Sequence, residues 1–237
     1  MTSSPPVPRP GRDLRGIVVE ALARGIADGT YGAGTLLEPS CLTIESTTVA
    51  RAVFAAAVRV LVTKDMVDET WQVRPESDWN LLDPDVLRWT LAAHPPPAPA
   101  LTAFFGDLHE LRRSVEPSAA ALAAQHRSNE DLAALDEALT AMAVAERSLE
   151  GDPVRAAGAD MAFHSTLLRA SGNRFFAQLL RVIVPALGAR SRLVFAGPHH
   201  HPVASHAEVA DRVREMDSDG AYTAMLELLD LSLRDDP

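Results

Sequence analysis

Among the pairs in this sequence that set a carboxylate four positions from a nitrogen-bearing side chain, two could do chemistry. Asp160 and His164 lie in a stretch with helical periodicity, where four residues advance one turn and about 40° around the axis, so both side chains address one point. A carboxylate and an imidazole held together are half of a divalent metal site or, equally, a hydrogen-bonded pair in a polar cavity. Arg112 and Glu116 form the second pair, and alone they read as an ion pair on a helix surface. His199, His200 and His201 stand in a row between Pro198 and Pro202, as in an exposed loop that captures metal only adventitiously. Cys41 is the only cysteine, which excludes an internal disulfide and a thiolate zinc cluster. Any bound metal must therefore be held by histidine and carboxylate.

These groups need helices to position them, and the chain supplies helical patterns nearly throughout. Its 237 residues are 47% hydrophobic and 23% charged, enough to bury one large core or two modest ones. No run of eighteen apolar residues occurs and the start is rich in proline and serine, so neither a membrane span nor a secretory signal is expected, and a cytoplasmic location follows. The net charge of -10 is uneven: residues 1 to 75 carry eight Lys or Arg against eight Asp or Glu, and residues 76 to 237 carry 14 against 24. An acidic body repels nucleic acid unless its basic groups gather on one surface.

Residues 1 to 11 read as a tail. Leu14, Ile17, Val18, Leu22 and Ile26 then mark a first helix that stops at Gly29. Two short helices, Pro39 to about Ser46 and about Val49 to Thr63, precede a small two-stranded ribbon over 66 to 73. Helix, turn, two helices and ribbon make the plan of a winged helix-turn-helix over 12 to 75. Residues 76 to 97 read as a linker and first connecting helix. Helical patterns over 98 to 125, 130 to 149, 153 to 171, 174 to 195, 202 to 217 and 219 to 234 are separated by Gly151-Asp-Pro153, Gly172-Asn173 and Gly197-Pro198. The fold class expected is mainly α, an N-terminal winged helix-turn-helix followed by an antiparallel all-helical bundle over 98 to 234.

Over roughly residues 12 to 234 the chain resembles the GntR family of bacterial transcription regulators, in the FadR-like branch with an all-helical FCD effector domain. The resemblance is carried by Ile26-Ala-Asp-Gly-Thr-Tyr-Gly-Ala-Gly34, the segment Ser77 to Trp89, Leu111-Arg-Arg-Ser-Val-Glu-Pro117, Asp160-Met-Ala-Phe-His164, Ala170-Ser-Gly-Asn173 and Asp217 through Met225. It implies a homodimer and a metal site in which His206 joins Asp160 and His164, with zinc the foremost divalent ion. Metal-binding members carry a fourth ligand, a histidine, where this chain has Leu228. The resemblance also makes Arg112 the inward arginine that clamps an effector carboxylate, with Arg113 the alternative if the helix phase is shifted. A guanidinium suits that task because its paired donors match two carboxylate oxygens. The effector implied is a small carboxylate or sugar acid. Asn173 reads as a helix C-cap.

The same resemblance predicts operator DNA as a partner, read by the helix expected over Val49 to Thr63. Arg51 and Arg59 are the residues left there to do so. The family's small hydroxyl residues, second arginine and following acid are replaced by Ala50, Ala52, Ala55 and Ala56, and the wing is short and acidic. Arg9, Arg12 and Arg15 are candidates for compensating phosphate contacts. The function expected is a metabolite-responsive DNA-binding regulator and not an enzyme. The alternative is a sensor module that has lost specific DNA binding and acts through ligand or a protein partner. A metalloenzyme using a metal-bound water ranks last, since no general base is evident.

Overall fold

The computed structural model describes residues 14 to 44, 47 to 93, 99 to 147, 152 to 194 and 203 to 232. The chain divides into two compact units, Met1–Ala93 and His94–Pro237.

In the first unit, helix α1 (Leu14–Ala27) buries Val18, Val19, Leu22, Ala23 and Ile26 against Phe54, Ala57, Val58 and Leu61 of α2 (Arg51–Val62). Gly29, at φ +80°, ends the first helix in a conformation that glycine adopts without steric cost. The helix expected over 39 to 46 does not form. Pro39–Cys41 is a single 3-10 turn, and Thr43–Ile44 (β1) pairs antiparallel with Thr47–Thr48 (β2) in the register Thr43 with Thr48 and Ile44 with Thr47. All four strand residues are β-branched, which favours extended backbone over helix.

The wing is two isolated bridges, Leu36 with Gln72 and Val67 with Val73. Its tip is bonded to itself: Asp68 Oδ1 accepts from the Thr70 and Gln72 backbone N–H groups at 2.8 and 3.0 Å and from the Thr70 hydroxyl at 2.7 Å. Trp71 packs on Phe54 with ring centroids 5.9 Å apart.

Helix α3 (Pro84–Ala93) belongs to this first core through Val86 and Trp89, and the preceding Trp79 joins them. Asp83 starts the helix by accepting from the Asp85 and Val86 backbone N–H groups. The sole lysine, Lys64, donates to both oxygens of Asp83 at 2.7 and 2.8 Å and to Asp85 at 3.0 Å. Glu20 on α1 accepts from Arg88 and from the Trp89 indole.

The second unit comprises α4 (Pro99–His126), α5 (Asn129–Glu146), α6 (Pro153–Ala170), α7 (Arg174–Val194), α8 (Val203–Arg214) and α9 (Ser218–Ser232). Ser128 and Asp131 form a capping box at the start of α5, and Asp152 caps α6 with Pro153 at its first position. Gly172, at φ +70°, closes α6. Asn173 then accepts from the Phe175 backbone N–H and so starts α7, whereas the sequence reading had it capping the helix before. Phe163, Leu167, Val209, Met225 and Leu228 centre the main core. Helices α4, α6 and α8 all pack within this unit, and they carry the polar cluster described next. Among the described residues no helix is long and apolar enough to cross a membrane.

The nearly buried Lys64 is the anchor of α3. Replacing it by alanine leaves two carboxylates facing each other, and Lys64→Ala is expected to cost about 2 to 3 kcal/mol in urea denaturation. Lys64→Arg is expected to recover part of that loss.

Candidate metal centre

Five polar side chains from three helices meet inside the second unit: Arg112 and Glu116 of α4, Asp160 and His164 of α6, and His206 of α8. Arg112, Glu116, His164 and His206 are 2 to 3% exposed. The i and i+4 spacing works as expected on α6, placing Asp160 Oδ1 3.5 Å from His164 Nε2. His206 arrives from the neighbouring helix with its Nε2 3.2 Å from the same Asp160 oxygen. Phe163, between the two α6 ligand candidates in sequence, stands edge-on to both imidazoles, 4.9 Å from the His206 ring centroid and 5.7 Å from that of His164. An apolar ring thus packs against both histidines.

Asp160, His164 and His206 offer one ligand atom each, all within 4.8 Å of one another. Ligands about 2.0 to 2.1 Å from a tetrahedral zinc lie about 3.4 Å apart along each edge of the tetrahedron. The 3.2 and 3.5 Å separations match that edge, and two nitrogens with one carboxylate oxygen form a donor set suited to zinc. Leu228, at the family's fourth ligand position, is fully buried in the apolar core.

Arg112 points inward, and the adjacent Arg113 is exposed and paired with Asp230 of α9 at 2.8 Å. The Glu116 pairing noted in the sequence exists but is a buried one. Arg112 Nε donates to Glu116 Oε1 at 2.8 Å and Nη2 to Oε2 at 3.3 Å, while Nη2 lies 3.1 Å from His164 Nε2. Glu116 Oε2 is also 2.8 Å from His164 Nδ1. Glu116 is the member that sequence reasoning missed. Its spacing from Arg112 was visible, and only its burial separates it from the many exposed pairs of that kind.

Burial alone would raise the Glu116 carboxyl, but Arg112 and His164 outweigh it and hold the group at about 2. Asp160 is likewise kept well below the usual carboxylate range, burial being overcome by hydrogen bonds with His164 and His206. For His164, burial lowers the pKa, and the opposing pull of Glu116 and Asp160, partly cancelled by Arg112, leaves it raised.

In the first unit Arg51 is the first residue of α2 and Arg59 lies in its last turn. Both are exposed and enter no ion pair among the described residues. Between them Ala52 is exposed and Ala55 and Ala56 are half-buried. Arg15 is exposed on α1. Arg9, Arg12 and the run His199 to His201 lie outside the described residues.

The FCD domain family model matches residues 107 to 231. The galactonate operon transcriptional repressor of Escherichia coli (strain K12) is 26% identical over 224 residues, 92% of this chain and 94% of its own length. Among solved structures, the Listeria monocytogenes protein Lar, described as controlling expression of the agr system, superposes with a TM-score of 0.61 at 16% identity, covering 96% of this chain and 98% of that one. A GntR family member from Pseudomonas syringae pv. tomato superposes with a TM-score of 0.50 at 18% identity, covering 96% and 86%.

Because the Glu116 pKa is depressed, its contribution to stability is fully present above about pH 4.5 and is lost as pH falls toward about 2. The shift corresponds to a cost on the order of 3 kcal/mol for Glu116→Gln at neutral pH. In denaturant titrations with chelator present, the gap between wild type and variant is expected to shrink as pH drops from about 5 to 3. The raised His164 acts oppositely, contributing below its usual value and fading as pH rises through its folded value.

Proposed function

The chain belongs to the FCD domain family and is a GntR-type transcriptional regulator, not an enzyme; from that premise we propose that it senses a small organic acid through a divalent metal centre. The observation that carries this reading is the set of three donors, the partly buried Asp160 and the buried His164 and His206, with both Asp160–histidine separations near the edge of a coordination tetrahedron, beside the inward Arg112. Bound there, a zinc ion would supply a Lewis-acid centre for an effector oxygen. With three protein ligands it would leave coordination positions open. Arg112 lies within reach of His164, and an effector carboxylate would share with Glu116 the guanidinium whose Nε and Nη2 that residue already engages. A sugar acid is the effector class we favour, in line with the galactonate operon named for one relative. Regulation then follows if the acid binds the DNA-competent and incompetent states of a homodimer with different affinity.

Operator binding in this reading depends on Arg51 at the start of α2 and Arg59 near its end. A specific observation favours a second reading. The face between those arginines is alanine, the described residues 39 to 44 supply no supporting α-helix, and the carboxylate of Asp68 at the wing tip is engaged by the tip's own Thr70 and Gln72. A chain of that kind retains the sensor and acts through a ligand or a protein partner without reading sequence.

Zinc at about a hundredfold excess over its dissociation constant is expected to stabilise the chain by about 2.7 kcal/mol, and chelator to remove the gain. Asp160→Ala and His206→Ala are expected to abolish it in thermal melts, and no zinc effect in wild type would contradict the metal reading. Galactonate and similar acids are expected to shift the melt of the zinc-loaded protein, with Arg112→Ala losing the shift.

For operator binding, fluorescence anisotropy against genomic fragments at physiological salt separates the two readings. Saturable binding that Arg51→Ala weakens about ten- to hundredfold supports the regulator that reads DNA. Weak binding that disappears with salt supports the second reading.

A further inference from the structure

Glu116 is enclosed on α4, and the metal reading above gives it no task. Its two oxygens serve two partners: Oε1 accepts from Arg112 Nε at 2.8 Å, while Oε2 sits 2.8 Å from His164 Nδ1. A neutral imidazole has one N–H and one lone pair. A carboxylate at Nδ1 requires the proton to be on Nδ1, which leaves the lone pair on Nε2. Arg112 leads to the same assignment independently, because a guanidinium only donates and its Nη2 lies 3.1 Å from Nε2 but 3.5 Å from Nδ1; a metal ligated by that lone pair would displace the Arg112 N–H from it. Nε2 is also the nitrogen nearer the Asp160 oxygen that His206 shares.

We propose that Glu116 is the positioning residue of the metal centre: it holds His164 in the tautomer protonated at Nδ1 and aims Nε2 at the point addressed by Asp160 and His206. This rests on the metal reading. A carboxylate behind a ligating imidazole fixes ring orientation and raises ligand basicity, and losing such a partner typically weakens metal affinity about 10- to 100-fold. Glu116 has a second consequence through Arg112. The same carboxylate fixes the arginine that faces the effector, so the ligand histidine and the effector-side cation are held by one group from α4. The bidentate contact with Arg112 also limits the rotation of the carboxylate, so His164 is oriented by a group that is itself oriented.

The test uses the full chain and cobalt(II), whose visible absorption reports coordination. Glu116→Gln keeps the side-chain shape and an acceptor oxygen, so it removes the charge with little change in packing. It is expected to weaken cobalt binding by about tenfold or more and to alter the cobalt spectrum. A residue that only supports packing would lower stability in chelator and leave the affinity and spectrum of the folded protein unchanged. That result would overturn the proposal while the metal reading stood, whereas no cobalt binding by wild type would overturn both. A second measurement needs no variant. Long-range proton-nitrogen NMR of the zinc-loaded wild type is expected to show His164 protonated at Nδ1 and ligated through Nε2, and ligation through Nδ1 would overturn the assignment.

Discussion

The second unit depends on keeping two carboxylates ionised away from water. Moving a carboxylate into the interior costs several kcal/mol unless opposite charge and hydrogen bonds meet it there. Glu116 is met by Arg112 and His164, and Asp160 by His164 and His206, so carboxylates and nitrogen-bearing side chains alternate along a string that begins on α4, crosses α6 and ends on α8. Removing one link takes a partner from each of its buried neighbours. That requirement fixes the rotation of three helices about their axes, since each must turn its polar residues inward at one level of an otherwise apolar core. The ordered donor set is a by-product of satisfying the charges. The same groups that stabilise the bundle present two nitrogens and an oxygen at metal-ligand spacing.

Much of this was legible before any coordinates. The breakers Gly151-Asp-Pro153 and Gly172-Asn173 ended and restarted helices because proline fits a first turn and glycine a left-handed close, and α6 and α7 begin within a residue of where they were expected. The Asp160 and His164 pair followed from the helical repeat alone. His206 did not, because the meeting of α6 with α8 is a tertiary event 42 residues away along the chain, and only the family resemblance pointed to it. Glu116 escaped because spacing does not distinguish a buried ion pair from a solvated one. The segment 39 to 46 was misread for a different reason. Its Pro39 start signals a helix, but the threonines and isoleucine that follow favour strand, and the three-residue turn is as far as the helix runs.

The first unit is organised around internal pairing as well. Lys64, Arg74 and Arg88 are engaged by Asp83, Asp85, Asp65, Asp78 and Glu20, which stabilises α3 against the α1 and α2 pair and leaves few cations for phosphate. Among the described residues of this unit, the exposed Arg15, Arg51 and Arg59 lie outside these pairs. The two units divide their chemistry accordingly. The second unit concentrates its charged groups in a buried string, and among the described residues the first unit has a small number of exposed arginines around an alanine face.

The central claim is that Asp160, His164 and His206 bind a divalent ion together. Zinc K-edge X-ray absorption on the zinc-loaded chain tests it most directly, with His199→Gln, His200→Gln and His201→Gln introduced so that the neighbouring histidine run contributes nothing. The account requires a shell at about 2.0 to 2.1 Å containing two imidazoles and at least one oxygen donor. A first shell without imidazole scattering, or one unchanged by His164→Ala, would contradict it.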